Sequence, residues 1–314
     1  MIEVTGLSKR YGDKVAVDDL SFRVRPGKVT GFLGPNGAGK STTLRMIVGL
    51  DRPTSGTATV CGHPYRDLAR PLKTVGALLE ARAMHSGRTA REHLRGLAAS
   101  NHLPPQRVDE VLAMVGLTGT ARRRVGGFSL GMGQRLGIAA ALLGDPEIVI
   151  LDEPVNGLDP EGIQWVRELM RSMADKGRTV LVSSHLMSEM QDTADHLIVI
   201  GRGRLAADSS MAEFLARSAH NSVVVRTPHA AQLVPLLRRE GGDVEADLHW
   251  ADDRAVEAPL VVKGLDARRI GELAGQNGLW LHELAPQLAS LQEAFMELTA
   301  DAVEYRVKHG ERVA

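Results

Sequence analysis

Gly34-Pro35-Asn36-Gly37-Ala38-Gly39-Lys40-Ser41-Thr42 is a complete G-x-x-x-x-G-K-[ST] run, set between the apolar segment Val29 to Leu33 and a stretch of helix-forming character from Lys40 to Leu50. Strand, glycine loop and helix in that order are the context a phosphate loop requires. Glycines let successive backbone N–H groups turn inward around an anion, and a helix that starts at Gly39 or Lys40 directs its positive dipole end to the same place. The loop therefore suits a polyphosphate. Lys40 would reach the β and γ phosphates as a point charge, while the Ser41 hydroxyl would ligate a Mg²⁺ that bridges the same oxygens.

Farther along, the fully apolar run Ile148-Val149-Ile150-Leu151 ends in Asp152-Glu153-Pro154 and predicts a strand with two carboxylates at its C-terminal tip. In open α/β sheets that tip is where ligands bind. Adjacent acids on an extended chain point in opposite directions, which allows Asp152 to hold the Mg²⁺ shell and Glu153 to face a water as general base. Taken alone, the pair also fits a solvated acidic loop; the phosphate loop upstream favours the chemical role. A further strand, Thr179 to Val182, ends in Ser183-Ser184-His185. If it neighbours the Asp152 strand, His185 can contact a γ phosphate; otherwise it is a satisfied polar residue.

The remaining elements up to residue 215 are quieter. Ile2-Glu3-Val4 and Leu20 to Val24 alternate as short strands, with Tyr11-Gly12 in the loop between them. Tyr11 is either a half-buried loop residue or an aromatic that stacks on a base, a contact of about 1–3 kcal/mol elsewhere. Gly56 to Val60 and Thr74 to Leu79 read as strands, the second ending on Glu80. The capping box Thr89-Ala90-Arg91-Glu92 opens a helical insert over about 85–145. Arg122-Arg123-Arg124 within it reads as a solvated face. Phe128-Ser129-Leu130-Gly131-Met132 is a small flexible turn running into a helix, suited to an anion yet no different in kind from a capped helix. Asn156 to Pro160 is a turn, followed by a helix to Lys176-Gly177.

At 314 residues the chain has room for two domains. Its 38 basic and 38 acidic residues give a net charge of zero, which removes the electrostatic case for nucleic-acid binding. No apolar run approaches the ~18 residues of a membrane helix, and Met1-Ile2-Glu3 opens on a strand pattern, so neither a signal peptide nor direct membrane insertion is expected and the chain by itself is cytoplasmic. The single Cys61 excludes internal disulfides and is expected to be a small packing residue. Beyond a capping box at Ser210 to Glu213, Ser222 to Arg226, Leu260 to Val262 and Leu279 to His282 read as strands, and Ala230 to Arg239 and Ala267 to Ala274 as helices. That alternation predicts a small α/β accessory domain, closed by a helix with Leu291, Ala294, Phe295 and Leu298 on one packing face.

Taken together, these residues resemble the ATP-binding subunit of ABC transporters over roughly residues 1–215. Tyr11 falls at the adenine-stacking position, Glu80 at the lid loop, Ser129 to Met132 at the signature and His185 at the switch histidine. The resemblance implies an α/β P-loop ABC ATPase fold, a RecA-like core with an antiparallel β subdomain and a helical subdomain, followed by the accessory domain at 216–314. It implies ATP and Mg²⁺ as ligands. Tyr11, Gly34, Asn36, Gly37, Ala38, Gly39, Lys40, Ser41 and Thr42 would hold the nucleotide, Ser41, Glu80 and Asp152 the metal, and Glu153, His185 and Lys40 would act in hydrolysis. Ser129 and Gly131 would meet the nucleotide of a second subunit in a head-to-tail dimer, most simply a homodimer, with Asp159 at the interface. Transmembrane permease subunits would be the other partners, placing the chain peripherally on the inner face of the cell membrane.

Two features depart from the family pattern. Glu80 stands where glutamine is usual, and an ionised carboxylate can ligate Mg²⁺ but cannot donate a hydrogen bond. Phe128 to Met132 replaces Leu-Ser-Gly-Gly-Gln. Both changes, with the Phe-Ser-Leu-Gly-Met-x-Gln-Arg form of Phe128 to Arg135, resemble the bacterial antibiotic- and bacteriocin-resistance exporters. The rival expectation is a stand-alone ABC-type ATPase acting on ribosomes or nucleic acid, whose usual tandem cassettes or long heptad runs this sequence lacks.

Overall fold

Strands that are apolar at every position must be covered on both faces, and those around Ile150 and Leu181 are. They belong to the first of two compact units, Met1–Met211 and Ala212–Leu298, in a computed structural model that describes residues 1–80, 84–218, 221–246 and 259–299. In chain order the first unit contains β1 (Ile2–Tyr11), β2 (Lys14–Val24), β3 (Lys28–Leu33), α1 (Lys40–Ile47), β4 (Ser55–Val60), α2 (Pro71–Thr74) and β5 (Val75–Leu78). Next come α3 (Ala90–Ser100), α4 (Gln106–Met114), α5 (Leu130–Leu142), β6 (Ile148–Asp152), α6 (Pro160–Asp175), β7 (Thr179–Ser183), α7 (Met187–Gln191), β8 (His196–Gly201) and β9 (Arg204–Ser210).

The main sheet has the order β5-β6-β7-β3-β8-β9, parallel except for β9. A smaller antiparallel sheet, β2-β1-β4, shares one core with it and with α1, built on Ile2, Phe22, Phe32, Leu44, Ile150 and Ile198. The Phe22 and Phe32 ring centroids lie 5.5 Å apart. β1 is longer than its sequence suggests, because Tyr11 is its last residue rather than part of a loop. Register shifts after Val4 and Leu7 move the buried side from even to odd positions, so the alternation seen at Ile2 to Val4 does not persist along the strand.

α3 to α5 form the helical insert. Both halves of the expected capping box are present, with Thr89 accepting from the Glu92 N–H and Glu92 from the Thr89 N–H. Arg122, Arg123 and Arg124 are exposed. Cys61 is exposed too, in a turn at φ 51°, so it does not pack as expected; at the end of β4 its backbone reverses direction instead of continuing into the core.

The second unit follows α8 (Met211–Ala216) with β10 (Ser222–Arg226), α9 (Ala230–Arg239), β11 (Asp243–Ala246), β12 (Leu260–Lys263), α10 (Ala267–Gln276), β13 (Glu283–Gln287) and α11 (Leu291–Thr299). Its antiparallel sheet runs β11-β12-β10-β13, the split βαββαβ arrangement of ferredoxin-like folds, over a separate core that includes Val225, Leu233, Leu237, Val262 and Ile270. The last strand is not at residues 279–282. Those residues join α10 to the sheet, leaving Trp280 72% exposed, and Glu283–Gln287 pairs with β10 despite Pro286, which an edge strand tolerates. Leu291, Ala294 and Phe295 are buried as expected, whereas Leu298 is 42% exposed.

Backbone contact fixes one position with particular severity. A β-carbon at Gly76 in β5 would lie 1.9 Å from the Ala141 carbonyl oxygen of α5. Gly76→Ala is therefore expected to destabilise the first unit by about 1–3 kcal/mol, read from urea unfolding followed by circular dichroism. An unchanged midpoint would refute this strand–helix approach.

Candidate functional site

From the end of β3 the chain turns through residues 34–39 into α1. Gly39 has φ 102°, and a β-carbon there would come within 2.5 Å of the Ala16 carbonyl oxygen, so only glycine fits. The Lys40 side chain folds back onto the loop, its Nζ donating to the Gly34 carbonyl at 2.6 Å and the Pro35 carbonyl at 3.3 Å. Burial holds the Lys40 pKa below the ordinary lysine value, while the Glu153 and Asp152 carboxylates oppose the shift. A desolvated ammonium whose hydrogen-bond partners are neutral carbonyls stands to gain from an anion in the loop.

Parallel pairing of β6 with β7 sets Asp152 opposite Ser183. The Ser183 hydroxyl donates to one Asp152 carboxylate oxygen, and the Ser41 hydroxyl donates to the other at 2.9 Å. Strand geometry stops there. Glu153 has φ 51°, in the left-handed region, so the two acids are separated by a backbone turn and not by strand alternation as the sequence suggested. Its N–H donates to the Ser183 carbonyl at 3.1 Å and to the Ser183 hydroxyl at 3.2 Å. Its Oε2 lies 2.7 Å from His185 Nδ1 and accepts from the His185 N–H at 3.4 Å. An imidazole that donates from Nδ1 keeps Nε2 as an acceptor unless it takes a second proton.

A cavity of about 480 Å³ opens over these groups, lined by Tyr11 and Lys14 from the small sheet, by the loop from Pro35 through Thr42, and by Asp152 and Glu153. Asn36, Gly37, Ala38, Gly39, Lys40 and Ser41 all face it. Gly34 borders it through its hydrogen bond to Lys40, and His185 through Glu153. Tyr11 is 49% exposed; its hydroxyl donates to Asp51 at 3.1 Å, and Lys9 Nζ sits 4.9 Å from the ring centroid. Arg45 of α1 grips the same Asp51 at 2.8 and 3.2 Å, and that hydrogen bonding holds the Asp51 carboxyl below the usual aspartate range.

Besides Gly34 and His185, which border the cavity, four sequence candidates lie outside its lining. Glu80 is exposed just beyond β5, where its charge acts on Arg45. Ser129 caps α5 by accepting from the Met132 N–H at 3.2 Å and lines a different hollow with Ser86 and Phe128. Gly131 backs onto the Gly157 carbonyl, and Asp159 caps α6 by accepting from the Gly162 N–H at 2.9 Å. Two residues without an assigned role prove central. Ser183 ties Asp152 to Glu153, for which its place at the tip of a neighbouring strand is a signal. Gln134 donates from Nε2 to the Glu153 carbonyl at 2.9 Å; its place just after the signature marks the residue but not this bond, since the partner is a backbone atom.

The family profile described as ABC transporter matches residues 17–156. Over 95% of this chain and 97% of the other, the sequence is 35% identical to the bacitracin transport ATP-binding protein of Bacillus licheniformis. The chain belongs to the ABC transporter ATP-binding proteins. It is likewise 35% identical to a daunorubicin resistance ATP-binding protein of Streptomyces coeruleorubidus, covering 98% of each. The solved structure of an ATP-binding subunit of an ABC transporter superposes with a TM-score of 0.64 at 29% identity, over 69% of this chain and 92% of that one. Residues 221–292 match a domain of unknown function, DUF8746. This ABC protein is thus an ATPase subunit, and its relatives include the antibiotic-resistance proteins that Glu80 and the signature suggested. Among the described residues no helix is long and apolar enough to cross a membrane.

Ser183→Ala removes the hydroxyl shared by Asp152 and the Glu153 N–H. The nucleotide-free protein is expected to lose about 1–3 kcal/mol of stability, measured by denaturant unfolding, because the buried groups around it lose a partner. Retention of the native midpoint would show that neither group depends on it.

Proposed function

We propose that this ABC ATPase closes with a second copy on two ATP molecules, head to tail, and that closure and hydrolysis drive a separate membrane-spanning permease to export a compound. The observation that carries this reading is the convergence of Lys40, Ser41, Asp152, Glu153 and His185 on one cavity at the C-terminal ends of β3, β6 and β7.

The loop amides of residues 36–41 cradle the phosphates, and Lys40 exchanges its carbonyl partners for phosphate oxygens. Ser41 and Asp152 supply the hard oxygen donors that suit Mg²⁺, and their 2.9 Å contact places both within reach of one ion. Among the described residues no group of three His, Cys, Asp or Glu could hold a metal, so the remaining ligands would come from phosphate and water. Bound there, Mg²⁺ would neutralise charge on the β and γ phosphates. Glu153 orients and deprotonates the attacking water, and His185 steadies that carboxylate beside the γ phosphate. Tyr11 offers its ring to the adenine.

Ser129, Gly131 and Asp159 lie off their own chain's cavity, which supports their meeting the nucleotide of the other copy. Glu80, at the lid position, would join the metal shell only on a change in that loop. The relatives are named for bacitracin transport, daunorubicin resistance and Nod factor export, which supports an exported natural product as cargo and favours a membrane-spanning permease, with this chain on the inner face of the membrane, over ribosomes or nucleic acid as partner.

Glu153→Gln is expected to bind ATP, to elute from gel filtration as a dimer in its presence, and to release phosphate at least about 100-fold more slowly than the native chain. Native turnover in this variant would remove Glu153 from the role of base.

A further inference from the structure

We infer that Gln134 is a positioning residue for hydrolysis, which holds the Glu153 backbone in its left-handed turn and ties it to the helix that begins at the signature serine. This rests on the reading of Glu153 as general base.

Glu153 is a non-glycine residue at φ 51°, a conformation that side-chain-bearing residues adopt only when their surroundings enforce it. Both of its peptide groups are held. On the N-terminal side the N–H reaches Ser183 of β7. On the C-terminal side the carbonyl accepts from the Asn156 N–H at 3.3 Å, a local turn, and from Gln134 Nε2 at 2.9 Å, the long-range partner. The direction of the Glu153 side chain follows from the orientation of these two peptide planes, so a rotation of either would carry the carboxylate away from His185 and from an attacking water.

Gln134 is suited to this task. It is 3% exposed, fixed in the second turn of α5, the helix capped by Ser129. A buried amide on a packed helix has little freedom to move independently of that helix. Its bond to Glu153 therefore makes the placement of α5, whose N-terminus would meet the other copy's nucleotide, a determinant of where the base sits. Because the Asn156 turn remains when Gln134 is altered, removing the amide should misplace Glu153 without unfolding the loop.

The test is steady-state ATPase kinetics on the full chain, with binding of a fluorescent ATP analogue measured alongside, for Gln134→Met, Glu153→Gln and the double variant. Gln134→Met keeps the length and loses the donor; Gln134→Leu serves as a second variant that has no donor. A misplaced base predicts that kcat falls about 10- to 100-fold while analogue affinity and KM stay within about twofold of native. The double variant should be no slower than Glu153→Gln alone, because Gln134 acts through that residue. Native kcat in folded Gln134 variants, a matched loss of affinity, or a further fall in the double variant would each overturn the inference. Native turnover in Glu153→Gln would overturn the base reading itself, a result separable from the others.

Discussion

The pairing of β6 with β7, Asp152 against Ser183, is the constraint from which the site follows. Neighbouring strands stand about 4.8 Å apart, so two residues in register place side-chain oxygens within hydrogen-bonding distance without any loop to bring them together. Ser183 then links the carboxylate of Asp152 to the backbone of Glu153, and Ser41 approaches the same carboxylate from the phosphate-loop helix. A slip of one residue would turn every side chain of a strand to the opposite face. Burial of Ile148 to Leu151 and of all of β7 on both faces excludes that slip, because the core residues could not be exchanged for the polar tips.

The electrostatics of the cavity depend on the same arrangement. One buried ammonium and two carboxylates face a common space, and desolvation of Lys40 outweighs the help it receives from Asp152 and Glu153. Neutral carbonyls of the loop hold the charge in place, so the lysine is preorganised toward a position that a polyphosphate can take. At the rim, Arg45 and Asp51 fix the Tyr11 hydroxyl and leave the ring accessible, which links an aromatic on the small sheet to the helix that follows the phosphate loop.

The second unit has its own core and its own sheet, and its antiparallel order requires no residue from the first to complete it. Relatives named for bacitracin transport and daunorubicin resistance align over nearly their whole length with this chain. The appended unit is therefore shared with those proteins and is not an addition peculiar to this one.

Local chemistry alone determined much of this protein. The spacing from Gly34 to Thr42, the apolar runs ending at Asp152 and Ser183, and the Thr89–Glu92 capping box each depend on residues close in sequence, so the phosphate loop, the central strands and the insert's first helix were legible. The true length of β1, hidden by bulges, and the position of β13, displaced from an apolar stretch to one containing proline, were not, because each depends on a partner strand distant in the chain. Within the site, residue types identified the acids, but the sequence placed them on opposite sides of a continuing strand. Tertiary structure decided otherwise: hydrogen bonds from β7 and α5 hold Glu153 in a backbone conformation its own residue type disfavours. The sequence shows Ser183 at a strand tip, but not its bond to Glu153 or that of Gln134, because each acts there on a peptide group that every residue has.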